Sequence, residues 1–214
     1  MAERLTEAEV EAIARRIVTD LDGKGGGSAA VSPPAGPGAA APLGIHATVN
    51  EAVEAARRAQ PRFAALPLRV RAKVIEAIRA TMRENGAALA KAAWEETGLG
   101  RYEDKVVKNA LVTERTPGLE DLNPSAVTGD HGLSLIEPAP FGVIGAITPS
   151  TNPTSTIICN AIGMLAAGNA VVFSVHPSAK GCSIQAIALL NKAIVSAGGP
   201  PDAVTGISTP SIES

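Results

Sequence analysis

Two short segments carry the polar groups best placed to do chemistry. The first is ITPSTNPTS, Ile147 to Ser155, which leaves an apolar run and enters a helical pattern. In a parallel α/β sheet the ligand crevice lies outside the carboxyl ends of the strands. Thr148, Pro149, Ser150, Thr151 and Asn152 occupy that position. An amide N–H from Asn152 at such a rim is the kind of donor that stabilises an oxyanion. The Asn-Pro pair also suits a plain helix start, with Asn at the cap and Pro in the first turn. The second segment, FSVHPSAK, Phe173 to Lys180, brings Ser174, His176, Pro177 and Ser178 to the same edge, where a nucleotide could lie. An ordinary polar loop between strand and helix has the same composition. No G-x-G-x-x-G follows either run, so the standard dinucleotide fingerprint is absent.

The chain has two cysteines, Cys159 inside the first of these helices and Cys182 in the first turn of the next. They form neither a disulfide framework nor a metal-ligand spacing, and no metal is expected. Their number fits a reducing cytoplasm. A helix N-terminus is expected to lower the pKa of Cys182.

The elements that must position these segments follow from periodicity. Leu133 and Leu135 alternate with Ser134, predicting a strand that ends before Pro138. Phe141–Ile147, Ala170–Phe173 and Ala203–Ile207 are short apolar runs of buried-strand type. Between them, 153–167 and 180–197 read as helices, closed by Gly168-Asn169 and Gly198-Gly199. Strand, helix, strand, helix, strand implies a parallel sheet. Upstream, Thr48 and Glu51 form a capping box that opens a helical region extending to about Thr116. Within it, one amphipathic helix is expected to end at Asn85-Gly86, another at Gly98, and a third to cover 101–115.

The front of the chain is different. Thr6 and Glu9 form another capping box, and Val10, Ile13, Ala14, Ile17 and Leu21 recur at helical spacing. A helix of about four turns is marginal alone, so its apolar stripe needs a partner. Residues 22–42, DGKGGGSAAVSPPAGPGAAAP, are too poor in branched apolar side chains to form a core and read as a flexible linker. Lys+Arg number 19 and Asp+Glu 21, a net charge of −2 that gives no reason to propose nucleic acid as a partner. No run reaches the about 18 apolar residues of a membrane span, and charges across 3–16 exclude a secretory signal.

Glu137 to Gly181 resembles the aldehyde dehydrogenase superfamily. The shared frame is P-x-G-V-I-x-x-x-x-P followed by A-A-G-N-x-V-V-F. The loop S-T-N-P-T and the strand end H-P-S-A-K are similar to the CoA-acylating branch, where hydrolytic members usually carry P-W-N and K-P-S-E. EETGLGRYEDKVVKN, Glu95 to Asn109, is also similar to that branch. The resemblance implies a Rossmann-like parallel sheet, here incomplete, preceded by a helical segment and the tethered helix. It divides the chain into an encapsulation-type helix (1–21) and a linker (22–43). A helical part with an oligomerisation-type strand (44–137) and the first part of an NAD- and CoA-binding domain (138–214) follow.

The implied reaction joins a short-chain aldehyde such as propanal to CoA, with NAD+ as oxidant, through a cysteine thioester. Asn152 would be the oxyanion donor. Thr148, Pro149, Ser150, Ser174, His176, Pro177 and Ser178 would line the cofactor pocket. The N-terminal helix resembles the encapsulation peptides of microcompartment propionaldehyde dehydrogenases, implying shell or cargo partners within a bacterial microcompartment. The full-length protein would be a dimer or tetramer. The family nucleophile falls beyond residue 214, and neither cysteine here matches it. The 214-residue chain alone is therefore expected to be inert and aggregation-prone. A non-catalytic shell-binding module and a hydrolytic dehydrogenase are the alternatives.

Overall fold

The computed structural model describes residues 43–211, which all belong to one compact unit. The predicted helix of residues 1–21, and the linker apart from Leu43, lie outside the described residues. Four strands form a parallel sheet: β1 (Ile45–His46), β4 (Val143–Thr148), β5 (Ala170–Val175) and β6 (Val204–Ile207), in the order β1-β6-β5-β4. The helices α1 (Val49–Ala64), α2 (Leu68–Thr97), α3 (Tyr102–Arg115), α4 (Pro153–Ala166) and α5 (Lys180–Ser196) surround it.

Alternation along β5 divides the sheet between two layers. Ala170 and Val172 pack with Ala52 and Ala56 of α1 on one face. Val171, Phe173 and Val175 join the main core on the other, with Ile158 and Ile162 of α4, Ile187 and Leu190 of α5, and Ile78 and Met82 of α2. The expected strand–helix–strand–helix–strand order is therefore observed. Alanines on the buried face of α1 let that helix lie close to the sheet, and its start is the Thr48–Glu51 capping box read from sequence.

Three features depart from expectation. The helix expected to end at Asn85-Gly86 does not end there: α2 runs unbroken for 30 residues and stops at Gly98, in the left-handed conformation. A mid-helix glycine costs about 1 kcal/mol. Met82, Leu89, Ala90 and Ala93, all buried around it, outweigh that cost. The amide of Asn85 donates to Thr81 O within the helix and does not terminate it. Next, the strand at Leu133 and Leu135 is β3 (Gly132–Ile136), and it pairs antiparallel with an unforeseen β2 (Ser125–Gly129). Both strands are exposed throughout, so this ribbon buries nothing within the described residues. Last, β1 was not foreseen, since two residues carry no periodicity. It depends on Gly44 (φ +79), where an added Cβ would overlap the Asn191 side chain and Val204 O. No helix among the described residues is long and apolar enough to cross a membrane.

Candidate active site

The two loops emerge side by side. β4 and β5 end in register, Ile147 opposite Ser174 and Thr148 opposite Val175. Residues paired in register share a face, so Ser174 and Thr148 point to opposite sides of the sheet. Ser174 borders a cleft of about 630 Å³ on the α1 face, with Val53, Arg57, Ile147 and Val172 among its walls. Thr148 is buried on the side of α4 and α5, and its hydroxyl has no hydrogen-bond partner among the described residues. Pro149 and Thr151 are exposed on the rim and Ser150 is half-buried.

Asn152 stands at the cap position of α4, but its side chain makes no capping hydrogen bond. Its Oδ1 accepts from Lys108 Nζ at 3.0 Å, and its Nδ2 lies 3.5 Å from Thr151 Oγ1, at the long limit of a hydrogen bond. Pro153 fills the first helical position, where a missing N–H costs nothing. Nearby, Lys105 Nζ donates to Thr151 O at 2.8 Å, and Thr154 Oγ1 donates to Asn109 Oδ1 at 3.1 Å. Asn109 in turn donates to Gly86 O in the middle of α2. Lys105, Lys108 and Asn109 are three and four residues apart, hence on one face of α3. Burial, helped by the neighbouring Lys108, lowers the pKa of Lys105.

The second loop is tied differently. Pro177–Ala179 form a 3₁₀ turn. Ser178 N donates to His176 Nδ1 at 3.2 Å, and Ser178 Oγ lies 2.7 Å from the same nitrogen. Accepting from a backbone N–H makes Nδ1 the unprotonated nitrogen, so in the neutral ring Nε2 carries the proton. His176, Pro177 and Ser178 are all exposed.

The N-terminus of α5 is closed by Glu96, whose carboxylate accepts from Gly181 N at 2.6 Å and Cys182 N at 2.8 Å. Sequence reasoning passed over Glu96. Its signal was an acid in the last turn of a helix, unfavourable for the helix dipole unless it serves another element. This arrangement corrects the expectation for Cys182. Burial first, and the adjacent Glu96 second, push its thiol up to about 12 instead of lowering it. The helix terminus that would have stabilised a thiolate already holds a carboxylate. Cys159 is half-buried and unbridged.

A rim amide beside a helix start without a side-chain cap, next to a second polar loop on the adjacent strand, is an arrangement that can hold a developing anion. Residues 31–213 match the model of the aldehyde dehydrogenase family, and the chain belongs to that family. It is 48% identical over 171 residues to the acetylating acetaldehyde dehydrogenase EutE of Salmonella typhimurium, covering 80% of this chain and 36% of the relative. Among solved structures, a propionaldehyde dehydrogenase from the fucose utilisation bacterial microcompartment of Clostridium phytofermentans superposes with a TM-score of 0.78 at 48% identity, over 80% of this chain and 39% of that one. The propionaldehyde dehydrogenase of Rhodopseudomonas palustris, solved with CoA bound and a cysteine acylated, gives 0.78 at 48% identity, over 79% and 39%. The chain thus spans well under half the length of the relatives it matches.

Proposed function

We propose that the protein carrying this chain converts a short-chain aldehyde, propanal or a near homologue, with CoA and NAD+ to the acyl-CoA and NADH. The observation that carries the reading is the Asn152 amide, held at the strand-end rim without being used as a helix cap. NAD+ and CoA, when bound, supply hydride acceptance and acyl acceptance. The residues present suit them. His176 and Ser178 offer exposed polar groups, Pro149 an exposed apolar edge, and the buried hydroxyl of Thr148 lacks a partner among the described residues. Ser150, Ser174 and Pro177 complete that set of strand-end residues. Asn152 Nδ2 donates to the oxyanion that forms when a thiolate adds to the aldehyde carbonyl. Cys182 does not suit that role, because burial and the adjacent Glu96 carboxylate both disfavour its thiolate. Cys159 lies along α4, away from its N-terminal end. By the resemblance to acylating dehydrogenases, the nucleophile of the proposed reaction lies in a part of the relatives that these 214 residues do not match, and the chain alone is expected to be inert.

The test is NADH formation from propanal by the full-length protein, followed at 340 nm with and without CoA. The expected result is NADH only when CoA is present. Free acid and NADH without CoA would establish a hydrolytic dehydrogenase instead.

Residues 5–21 are proposed to dock on a shell or cargo protein inside a bacterial microcompartment, and the full-length protein to be a dimer or tetramer. Support comes from the apolar stripe of Val10, Ile13, Ile17 and Leu21, and from the microcompartment origin of a similar enzyme. Removing residues 1–21 should leave turnover unchanged and abolish co-sedimentation with shells. Undiminished co-sedimentation would overturn the docking role.

A further inference from the structure

We propose that Lys108 is a positioning residue that sets the orientation of the Asn152 amide, as part of a three-point grip by which α3 holds the rim loop. The inference rests on the reading of Asn152 as the oxyanion donor. A side-chain amide has two nearly isosteric ends, one accepting and one donating. At a half-buried rim position nothing in its own chemistry decides which end faces the reacting carbonyl. An ammonium decides it, because Lys has three donors and no acceptor. With Lys108 Nζ 3.0 Å from the side chain, the oxygen must face α3 and Nδ2 must face away from it. Rotating the amide would set N–H donors against the cation and forfeit a charge-assisted bond.

The remaining contacts fix the loop on which this amide rides. Lys105 Nζ holds Thr151 O, the carbonyl of the residue before Asn152. Asn109 Oδ1 holds the Thr154 hydroxyl two residues after it, and Asn109 Nδ2 ties the grip to Gly86 O in α2. Three consecutive supports come from one helix face and reach residues 151, 152 and 154. Lys105 and Asn109 are buried, whereas Lys108 is exposed. Its bond to Asn152 is therefore the one contact of the grip that can be removed without disturbing packing. The segment EDKVVKN, which the reaction itself leaves without a role, acquires one as the support of the rim.

The experiment compares Lys108→Met, Lys108→Arg, Asn152→Ala and Lys108→Met/Asn152→Ala in the full-length protein. Steady-state rates with propanal, CoA and NAD+ are read beside thermal midpoints. Asn152→Ala should lower kcat by about 100-fold or more, as loss of one oxyanion donor does. Lys108→Met should lower kcat about tenfold, the rate equivalent of one charge-assisted hydrogen bond, with KM for NAD+ and the melting midpoint unchanged. Lys108→Arg, which keeps an obligate donor, should recover most of the loss. The double variant should be no slower than Asn152→Ala alone, because Lys108 acts only through the amide. A Lys108→Met enzyme with full kcat, or a defect that multiplies with that of Asn152→Ala, overturns the positioning role while leaving Asn152 in place. Full activity of Asn152→Ala would instead remove the underlying assignment of Asn152, and the proposal with it.

Discussion

The two loops at the carboxyl edge of the sheet have the same topology and opposite electrostatics. After β4, α4 begins with no acid in its first turn and no side-chain cap. The loop before it is held by cations on α3, which take oxygen atoms of Thr151 and Asn152. After β5, the first amides of α5 are occupied by the carboxylate of Glu96. A helix N-terminus carries roughly half a positive charge and accepts an anion. At α5 that capacity is used by Glu96; at α4 no side-chain cap or acid in the first turn uses it. The difference teaches where negative charge can develop in this fold. The α4 end, with the Asn152 amide beside it, carries no carboxylate that would repel the oxyanion of the proposed reaction. The α5 end, already holding the Glu96 carboxylate, is unsuited to a phosphate, so any cofactor contact proposed for His176 and Ser178 would be through their exposed side chains.

The largest expected effect comes from making the α4 end resemble the α5 end. Asn152→Asp puts a carboxylate at an open helix start while changing almost no volume. As a cap, aspartate is at least as good as asparagine, and it would pair with Lys108, so the thermal midpoint should hold or rise. As an oxyanion donor it is useless, because its oxygens only accept and repel the developing charge. The full-length enzyme should lose at least about 100-fold in kcat. A stable Asn152→Asp enzyme that keeps its turnover would erase the distinction between the two loops.

The parts of this comparison visible in sequence were the local ones. The strands β4, β5 and β6 and the helices between them follow from apolar runs closed by glycine, and the rim positions follow from strand ends. The supports were not visible, because each joins residues far apart in the chain. Glu96 reaches α5 across 85 positions, and Lys108 reaches Asn152 across 44. The opposite facing of Thr148 and Ser174 needs the register of β4 on β5, which no single strand encodes. The unbroken passage of α2 through Gly86 was illegible for a related reason. A local breaker was overruled by burial that only the assembled core supplies. Cys182 is the sharpest case. Its position in the chain predicted a lowered pKa, and burial, with one distant carboxylate beside it, reverses the sign.

That reversal gives a smaller but cleaner test of how α5 is closed. A thiol whose pKa rises from 9.0 in the unfolded chain to about 12 in the folded one remains protonated after the unfolded state has begun to lose its proton. Above pH 9 the unfolded state therefore binds fewer protons, and stability falls with pH. The thiol's contribution is whole below pH 9 and is lost as pH approaches 12. Denaturant midpoints of the full-length protein should decline across that window, and Cys182→Ala should reduce the slope. Glu96→Ala separates the two causes. It removes the cap, at about 1 kcal/mol of stability, and removes the second contribution to the shift while leaving burial in place. Alkylation of Cys182 followed against pH should then move to lower pH, yet still require more than the ordinary 9.0 of a free thiol. An unmoved alkylation profile would mean that burial alone sets the thiol. The carboxylate would then serve α5 only as a cap, and the electrostatic contrast between the two helix ends would reduce to one of geometry.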